Sequence, residues 1–360
     1  MGDKSLQKAN RAKNDEFYTQ LPDIENELRH YKDQLKDKVV FCNCDDPFES
    51  NFFKYFAMNF NELGLKKLIT TCYDPSSIAN REIQLSAPGD EKKIKHTNSS
   101  RQKIISKAYK IELDDISDID GSGNINILDT KEILLREKAK LDSGKKSKIL
   151  SYLEGDGDFR SDECVELLEQ ADVVITNPPF SLFREYVAQL MEYEKKFVII
   201  APDTALHYKE IFKLIKESKL WLGYGRAKQF IQPDGTIKKF GNIGWFTNLD
   251  TTKRHEDFVS SLYKKYTPEE YPRYDNLDAI DVKKTAEIPE DYYGLMGVPD
   301  VFLDKFNPDQ FEIIGIPFGN LGKEIGVTKN YRGRTDVAIT QNGRSRCPYS
   351  RIIIKRKDPK

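Results

Sequence analysis

The stretch ADVVITNPPFSLFREY, residues 171–186, decides the fold, because it joins an apolar strand to a helix through two prolines. ADVVIT (171–176) has the composition of a buried strand, and FSLFREYVAQLMEY (180–193) has helical periodicity. The proline pair ends the strand because proline cannot donate to a sheet ladder. Similar segments lie on both sides, with strands predicted at 38–44, 65–73, 147–155 and 195–202 and helices at 50–64, 161–170 and 204–218. This alternation predicts an α/β fold with a mostly parallel sheet.

The pattern changes after residue 218. The segments KLWLGYG, KQFIQPDG and TIKKFGNIGWFTNL predict antiparallel strands, with Pro233-Asp234-Gly235 as a turn, so the sheet should end in an antiparallel hairpin. The polar, turn-rich residues 84–125 interrupt the alternation and indicate an insertion. We therefore predict a domain over 1–250 with an insertion at about 75–145, and a smaller, irregular α/β region over 251–360.

The composition is that of a soluble globular protein, with 38% apolar and 32% charged residues. The apolar stretches have the length of strands, which predicts no transmembrane helix and no membrane contact. The first sixteen residues contain no signal-peptide core, and the five cysteines are scattered, which together predict a cytoplasmic protein with reduced thiols. Cys42 and Cys44 are expected to be buried apolar side chains in a strand, and we predict no metal site.

Charge is unevenly distributed along a chain whose net charge is −1. Residues 321–360 contain eleven Lys or Arg and three acidic residues, a local net charge of +8. This predicts contact with a polyanion at the C-terminal end. A solvated, disordered tail is the alternative.

The residues after strand 171–176 suit a flat molecule that carries an amino group. The Asn177 side-chain oxygen and the Pro178 carbonyl can both accept from one exocyclic NH2, and Phe180 can stack on the ring. Two acceptors pull the amino nitrogen toward tetrahedral geometry and free its lone pair for attack. The alternative is an ordinary β-turn formed by Pro178 and Pro179.

Three other segments contain candidate site residues. Asp45 and Asp46 follow the strand at 38–44 and could bind ammonium or hydroxyl groups, although a capped turn would explain them equally. In GDGDF (155–159), the second aspartate could accept from an adenine amino group and the phenylalanine could pack on the purine; a tight turn is the alternative. In GNIGWFTNL (241–249), core packing is the alternative to a binding role for the two aromatic rings.

Several motifs occur in one order along the chain and together resemble a known family. They are DEFYTQ (15–20), DIENEL (23–28), FCNCDDP (41–47), SNFFKYFA (50–57), LGLKKLI (63–69), EGDGDFRS (154–161), TNPPFSLFREY (176–186), WLG (221–223) and FLDKFNPDQFEIIG (302–315). This set resembles the DNA adenine-N6 methyltransferases of the EcoRI type, in a gamma-like motif order. The resemblance covers most of the chain outside residues 75–145.

The resemblance implies a Rossmann-like methyltransferase fold with S-adenosylmethionine as cofactor. It places Tyr18 and Thr19 near the methionine carboxylate. The remaining cofactor residues would lie in the first loop, after the second strand and in the adenine pocket: Asp45, Asp46, Pro47, Phe48, Asp74, Asp158 and Phe159. The first loop, DPFESNFF, departs from the glycine-rich loop usual in methyltransferases.

The resemblance also implies the reaction and the substrate. The target would be an adenine flipped out of a short AT-rich duplex site, held by Asn177, Pro178, Pro179 and Phe180, with Trp245 or Phe246 against its other face. The C-terminal region would recognise DNA, with Arg332, Arg334, Arg344 and Arg346 as contacts.

The resemblance further suggests a restriction-modification system, with a cognate endonuclease acting on the same site without contacting this chain. A monomer is expected, because a modifying enzyme can treat each strand in turn. The alternatives are a protein glutamine N-methyltransferase and a catalytically inactive DNA-binding module. The basic, aromatic C-terminal region favours DNA over protein as substrate, and the intact Asn177 and Phe180 favour an active enzyme.

Overall fold

The fold is given by a computed structural model that describes residues 18–44, 46–48, 50–73, 108–118, 121–231, 237–239, 241–259 and 264–358. The chain divides into two compact units. The first contains the described residues up to Ala201 together with Gly225–Ile243, and the second contains Pro202–Tyr224 and the described residues from Gly244 onward.

The first unit is built on a mixed sheet. Its strands lie in the order β5-β4-β3-β2-β6-β7. In chain order they are β2 (Val39–Cys42), β3 (Lys67–Thr71), β4 (Tyr109–Leu113), β5 (Leu150–Tyr152), β6 (Val173–Thr176) and β7 (Lys196–Pro202). All four residues of β6 are buried, as its apolar run predicted.

The prediction of a mostly parallel sheet is wrong at one end. The pairs β2–β3, β2–β6 and β6–β7 are parallel, whereas β4 is antiparallel to both β3 and β5. Strand β4 falls inside the segment predicted as an insertion, and it separates β3 from β5. Its YKIEL sequence alternates buried and half-buried side chains, which suits a strand in an antiparallel pair.

Helices follow the strands, and side-chain caps define where several of them begin. Ser50 caps the helix after β2 by accepting from the Phe52 and Phe53 amides, and Ser161 caps another by accepting from the Cys164 amide. The helix at 127–142 has a reciprocal capping box between Asn126 and Asp129. The helices of this unit are α1 (Leu21–Leu28), α2 (Lys32–Leu35), α3 (Asn51–Met58), α4 (Phe60–Leu63), α5 (Ile127–Asp142), α6 (Asp162–Gln170) and α7 (Phe183–Glu192), the last preceded by a 3-10 turn at Phe180–Leu182.

A second, three-stranded sheet contains the N-terminal strand of the described chain. Its strands β1 (Tyr18–Thr19), β9 (Gln229–Ile231) and β10 (Ile237–Lys239) lie in the order β1-β9-β10 with antiparallel pairs. The prediction that the 229–239 strands extend the main sheet is therefore wrong, because β1 supplies the edge with which β9 pairs. The predicted turn at 233–235 lies outside the described residues.

The second unit contains several 3-10 turns between its strands and helices. Its main sheet has the order β12-β13-β17-β14, in which β12 and β13 are parallel and the other pairs antiparallel. The strands are β12 (Ile280–Asp281), β13 (Leu295–Pro299), β14 (Phe311–Gly315) and β17 (Arg351–Arg356), with helices α8 (Lys209–Lys216) and α9 (Gly319–Glu324). Two further neighbouring strands, β8 (Trp221–Arg226) and β11 (Ile243–Thr247), lie largely in this unit.

The sheet of the second unit has an apolar core beside it. This cluster comprises Tyr274, Ala279, Val327, Val337, Ile339 and Ile353. Tyr274 also donates from its hydroxyl to Asp281 Oδ1 over 2.9 Å, which satisfies a fully buried carboxylate. Among the described helices, none combines the length and the hydropathy that a membrane span requires.

Candidate active site

The candidate site lies in the first unit, at the edge where the parallel strands end. Strands β2, β3 and β6 run side by side in the same direction, so the loops that follow them begin next to one another. Strand β5 runs in that direction too, because it is antiparallel to β4 and β4 is antiparallel to β3. Ligands of open α/β sheets bind outside this carboxyl edge. The motifs FCNCDDP, GDGDF and TNPPF all follow these strands.

Asn43, directly after β2, ties two of these loops together. Its main-chain oxygen accepts from the Thr176 hydroxyl at the end of β6, and its side-chain oxygen accepts from the Tyr186 hydroxyl on α7. Burial raises the pKa of Tyr186 well above its usual value, so the phenol stays protonated and remains a donor. The residue that precedes the Asn177-Pro178 pair is thereby fixed against the loop after β2.

The NPPF residues occupy the end of β6. Asn177 is 8% exposed, Pro178 is buried, and Pro179 and Phe180 are half-buried. Phe180 begins the 3-10 turn that leads into α7. The segment thus leaves an amide side chain and a main-chain carbonyl in a dry environment, beside an aromatic ring that still reaches solvent.

The first loop is held by Asp46, which is buried. Its Oδ1 accepts from the Phe48 amide over 2.9 Å and from the Tyr109 hydroxyl over 2.8 Å. Burial, followed by the Asp46 and Cys72 charges, raises the pKa of Tyr109 well above its usual value and keeps it a donor. Tyr109 begins β4, and its main-chain amide donates to Cys72 Sγ over 3.3 Å, so this one residue connects the loops after β2 and β3.

The absence of glycine from this loop has a structural consequence. The amides that a glycine-rich loop would offer to a ligand are used internally: Phe48 donates to Asp46, and Phe52 and Phe53 donate to Ser50. Pro47 is buried and has no amide hydrogen to offer. What the loop presents is the half-buried ring of Phe48, which packs edge-on to Tyr109 with centroids 5.9 Å apart.

Tyr18 and Thr19 lie beside the start of α3. The Asn51 side chain donates to the Thr19 carbonyl over 2.7 Å and holds β1 against this helix. Thr19 is 1% exposed, and its hydroxyl has no hydrogen-bond partner among the described residues. An orphaned buried hydroxyl costs about 1–3 kcal/mol, and a bound ligand would remove that cost by accepting from it.

The GDGDF loop after β5 packs on the neighbouring strand end. Gly157 has φ +77°, and a Cβ there would come within 2.0 Å of the Cys72 carbonyl oxygen, so only glycine fits. Phe159 is buried edge-on against Tyr186, with ring centroids 5.0 Å apart. Its carbonyl accepts from Gln189 on α7 over 3.1 Å.

Asp158 forms a bidentate pair with Arg160. Its Oδ1 accepts from the Arg160 amide and Nε, each over 2.9 Å, and its Oδ2 accepts from the guanidinium over 2.7 Å. The Arg160 hydrogen bonds hold the pKa of Asp158 below its usual range, against the opposing effect of burial. One acceptor position on Oδ2 remains for a ligand amino group, since each carboxylate oxygen has two. Arg160 also pairs with Glu185 on α7 over 3.0 Å.

The predicted cofactor set is therefore brought together in part. The loops with Asp46 and Asp158 are linked through Tyr109, Cys72 and Gly157, and the second of them contacts α7 beside the NPPF segment. Asp45 and Asp74 lie outside the described residues. No cluster of three or more His, Cys, Asp or Glu side chains suited to a metal ion occurs within the part of the chain that the structure describes.

The remaining predicted residues belong to the second unit. Trp245 and Phe246 lie in β11 and are 1% and 0% exposed, which gives both a packing role; their stacking on a base stays a prediction. The four arginines predicted to contact DNA are all exposed, but Arg346 is tied to the buried Asp281 carboxylate over 3.3 Å.

Four residues of this arrangement were not singled out from the sequence: Asn43, Tyr109, Arg160 and Tyr186. The polar Asn43 inside FCNC was a signal, since an amide at a strand end needs partners. No sequence signal indicated Tyr109, because it lies in a segment that we interpreted as an insertion.

Comparisons with known proteins identify the family to which this chain belongs. The family described as "Adenine-specific methyltransferase EcoRI" matches residues 5–357. Type II methyltransferase M.EcoRI of Escherichia coli is 43% identical, over 98% of this chain and 97% of that protein. M.MgeORF184P of Mycoplasma genitalium is 33% identical over 97% and 98% of the two chains, and M.MpnI of Mycoplasma pneumoniae 32% identical over 97% of each.

A search of solved structures gives no significant match. The family match and the three relatives extend over nearly the whole chain, and they confirm the resemblance seen in the motifs. The chain therefore belongs to the EcoRI family of adenine-specific methyltransferases.

Proposed function

We propose that this chain transfers a methyl group from S-adenosylmethionine to N6 of an adenine flipped out of a short, AT-rich duplex DNA site. Activity as an adenine-specific DNA methyltransferase follows from the family, and the relatives are named Type II methyltransferases. Our proposal adds the cofactor, the base flipping, the kind of site and the residues that act. We further propose that it works in the cytoplasm as a monomer, within or derived from a restriction-modification system whose endonuclease it does not contact.

One observation supports the catalytic assignment most strongly: the Asn177-Pro178 pair is buried at the end of a central strand. In that position the Asn177 side-chain oxygen and the Pro178 carbonyl would accept the two hydrogens of an adenine amino group. Removing water from these acceptors strengthens both bonds and localises the nitrogen lone pair for attack. Phe180 would stack on the base, since its ring is half exposed beside the pair.

The cofactor residues fit the proposed ligand. Thr19 has a buried hydroxyl that lacks a partner among the described residues and could donate to the methionine carboxylate. Asp158 retains one acceptor position, which would bind the amino group of the cofactor adenine, and the buried ring of Phe159 would pack on the purine. When bound, S-adenosylmethionine supplies a methyl group on a good leaving group, and the reaction then depends mainly on alignment.

The buried position of the two acceptors supports base flipping. An adenine stacked in a duplex cannot reach a buried amide at a strand end, so its nucleotide must be extruded. Flipping costs a few kcal/mol, which contacts from the basic C-terminal residues to phosphates would offset.

The two alternatives predict different products. A glutamine N-methyltransferase would label protein, and an inactive DNA-binding module would label nothing. The Type II methyltransferase relatives disfavour both.

The experiment is incubation of the protein with labelled S-adenosylmethionine and plasmid DNA, followed by sequencing for modified adenines. We expect N6-methyladenine at one short sequence. Label confined to protein would support the glutamine methyltransferase, and DNA binding without label would support the inactive module.

A further inference from the structure

The second unit contains a two-stranded ribbon that the catalytic site does not use. Strands β15 (Ile339–Gln341) and β16 (Arg344–Arg346) pair antiparallel across the turn Asn342-Gly343. Both turn residues have positive φ, 51° and 74°. This is the Asn-Gly geometry of a type I′ hairpin, whose twist matches that of its strands.

The base of the ribbon is fixed on both faces. On one face, the Thr340 hydroxyl donates to Asp275 Oδ2 over 2.7 Å and its amide donates to Asp275 Oδ1 over 3.2 Å. On the other, Ile339 belongs to the apolar core and Arg346 pairs with the buried Asp281. These contacts hold the ribbon in one orientation.

The tip, in contrast, carries polar side chains that the protein does not engage. Gln341, Asn342 and Arg344 are exposed and have no side-chain partner among the described residues. Gln341 is directly opposite Arg344, so the two side chains project from the same face of the ribbon. An anchored element that presents long polar side chains is suited to recognition, because its backbone loses little conformational entropy on binding.

A basic loop lies next to the ribbon. Asn330 donates to Cys347 Sγ over 3.3 Å, just after β16, and also organises the turn at 330–334 by accepting from the amides of Arg332 and Arg334. Tyr331 to Arg334 are all exposed, with the Arg332 guanidinium 5.1 Å from the centre of the Tyr331 ring. The base of the ribbon is therefore flanked by positive charge.

We infer that this ribbon enters the major groove of the substrate DNA, and that Gln341 and Arg344 read base edges there. The inference rests on the proposed function and assigns the sequence specificity of the enzyme to these two residues. The major groove is about 12 Å wide and admits a two-stranded β-ribbon. Glutamine bonds adenine through N6 and N7, and arginine bonds guanine through O6 and N7. Arg344 thus reads a G·C pair and Gln341 an A·T pair.

The same geometry gives different roles to the four arginines predicted to bind DNA. Arg344 lies next to the turn and contacts bases, Arg332 and Arg334 lie in the loop beside the base of the ribbon and contact phosphates, and Arg346 anchors the ribbon through Asp281. Base contacts carry sequence preference, whereas phosphate contacts carry affinity and its salt dependence.

The test compares the variants R344A, Q341A and R332A on a pool of duplexes in which each base pair of the methylated site and its flanks is varied. R344A should reduce discrimination at one G·C position by about 10- to 100-fold, and Q341A at one A·T position, with preference elsewhere unchanged. R332A should weaken binding to all duplexes and lower the salt slope of log K by about 1, with preference intact.

Unchanged preference in R344A and Q341A would overturn the inference, as would a uniform loss of affinity in R344A like that of R332A. Either result leaves the proposed function standing, because wild-type protein would still methylate adenine in DNA. Failure of wild-type protein to methylate any duplex would instead reject the proposed function. Melting curves of the exposed variants check that each remains folded.

Discussion

Replacing Thr19 by valine should change protein stability and cofactor affinity in opposite directions. The Thr19 hydroxyl is buried and has no partner among the described residues, and we assign it to the cofactor carboxylate. Valine has the same shape and suits the extended backbone of β1, so the substitution removes the hydroxyl alone.

The magnitudes follow from the cost of an unsatisfied polar group. Burying a hydroxyl without a partner costs about 1–3 kcal/mol, so T19V should raise the free energy of unfolding by roughly 1–2 kcal/mol. For a unit of this size that corresponds to a rise of about 2–8 °C in Tm. A hydrogen bond to a carboxylate contributes about 1.5–3 kcal/mol, so the Kd for S-adenosylmethionine should rise by roughly 10- to 100-fold.

The assay combines urea unfolding, followed by circular dichroism, with calorimetric titration of S-adenosylmethionine. Thr70 provides a matched control, because its hydroxyl is also buried and without a partner among the described residues, but it lies within β3 between two paired strands. T70V should gain stability and keep cofactor affinity. A T19V protein that is less stable, or that binds S-adenosylmethionine as wild type does, would refute the assignment.

Two further substitutions test how the loops are held. Tyr109→Phe removes a buried hydrogen bond to a carboxylate and should lower the free energy of unfolding by about 1.5–3 kcal/mol in urea, whereas Tyr152→Phe, whose hydroxyl contacts a carboxylate at the surface, should change it by less than about 0.5 kcal/mol. Equal effects would show that the buried bond does not hold the first loop. Gly157→Ala should lower the melting temperature and weaken cofactor binding, because its Cβ would overlap a main-chain oxygen at 2.0 Å and its φ is +77°. Gly155→Ala has 4.0 Å of clearance and should be nearly neutral, so indistinguishable melting curves for the two alanine variants would contradict this packing.

The parts of the fold that were predictable from sequence are those set by local pattern. The apolar run of β6 and the caps at Ser50 and Ser161 depend on residues close together in the chain, and these elements lie where the pattern placed them. The start of helix α5 had a readable signal in the capping pair Asn126 and Asp129. The polar, turn-rich segment before it led us to interpret the whole region as an insertion, so this helix was not predicted. A five-residue strand such as β4 carries too little pattern to be distinguished within such a region.

The sequence predicted where several site residues lie along the chain, but not the hydrogen bonds that connect them. The bonds that organise it join residues far apart in sequence: Tyr109 and Asp46 are 63 residues apart, and Tyr186 and Asn43 are 143 apart. Such pairs depend on which strands become neighbours, and β4 entered the sheet from a region interpreted as an insertion. The separate roles of the C-terminal arginines were hidden for the same reason, since Arg346 binds Asp281 from 65 residues away.

The central claim is that Asn177 positions and polarises the target amino group. Its most direct test is the single-turnover rate of methyl transfer to DNA at saturating S-adenosylmethionine, compared among wild type, Asn177→Ala and Asn177→Asp. Loss of the acceptor in N177A should lower this rate by at least about 10²-fold, with the fold and cofactor affinity intact, and N177D, which keeps an oxygen in place, should retain more activity than N177A. An N177A protein that methylates DNA at the wild-type rate would contradict the account.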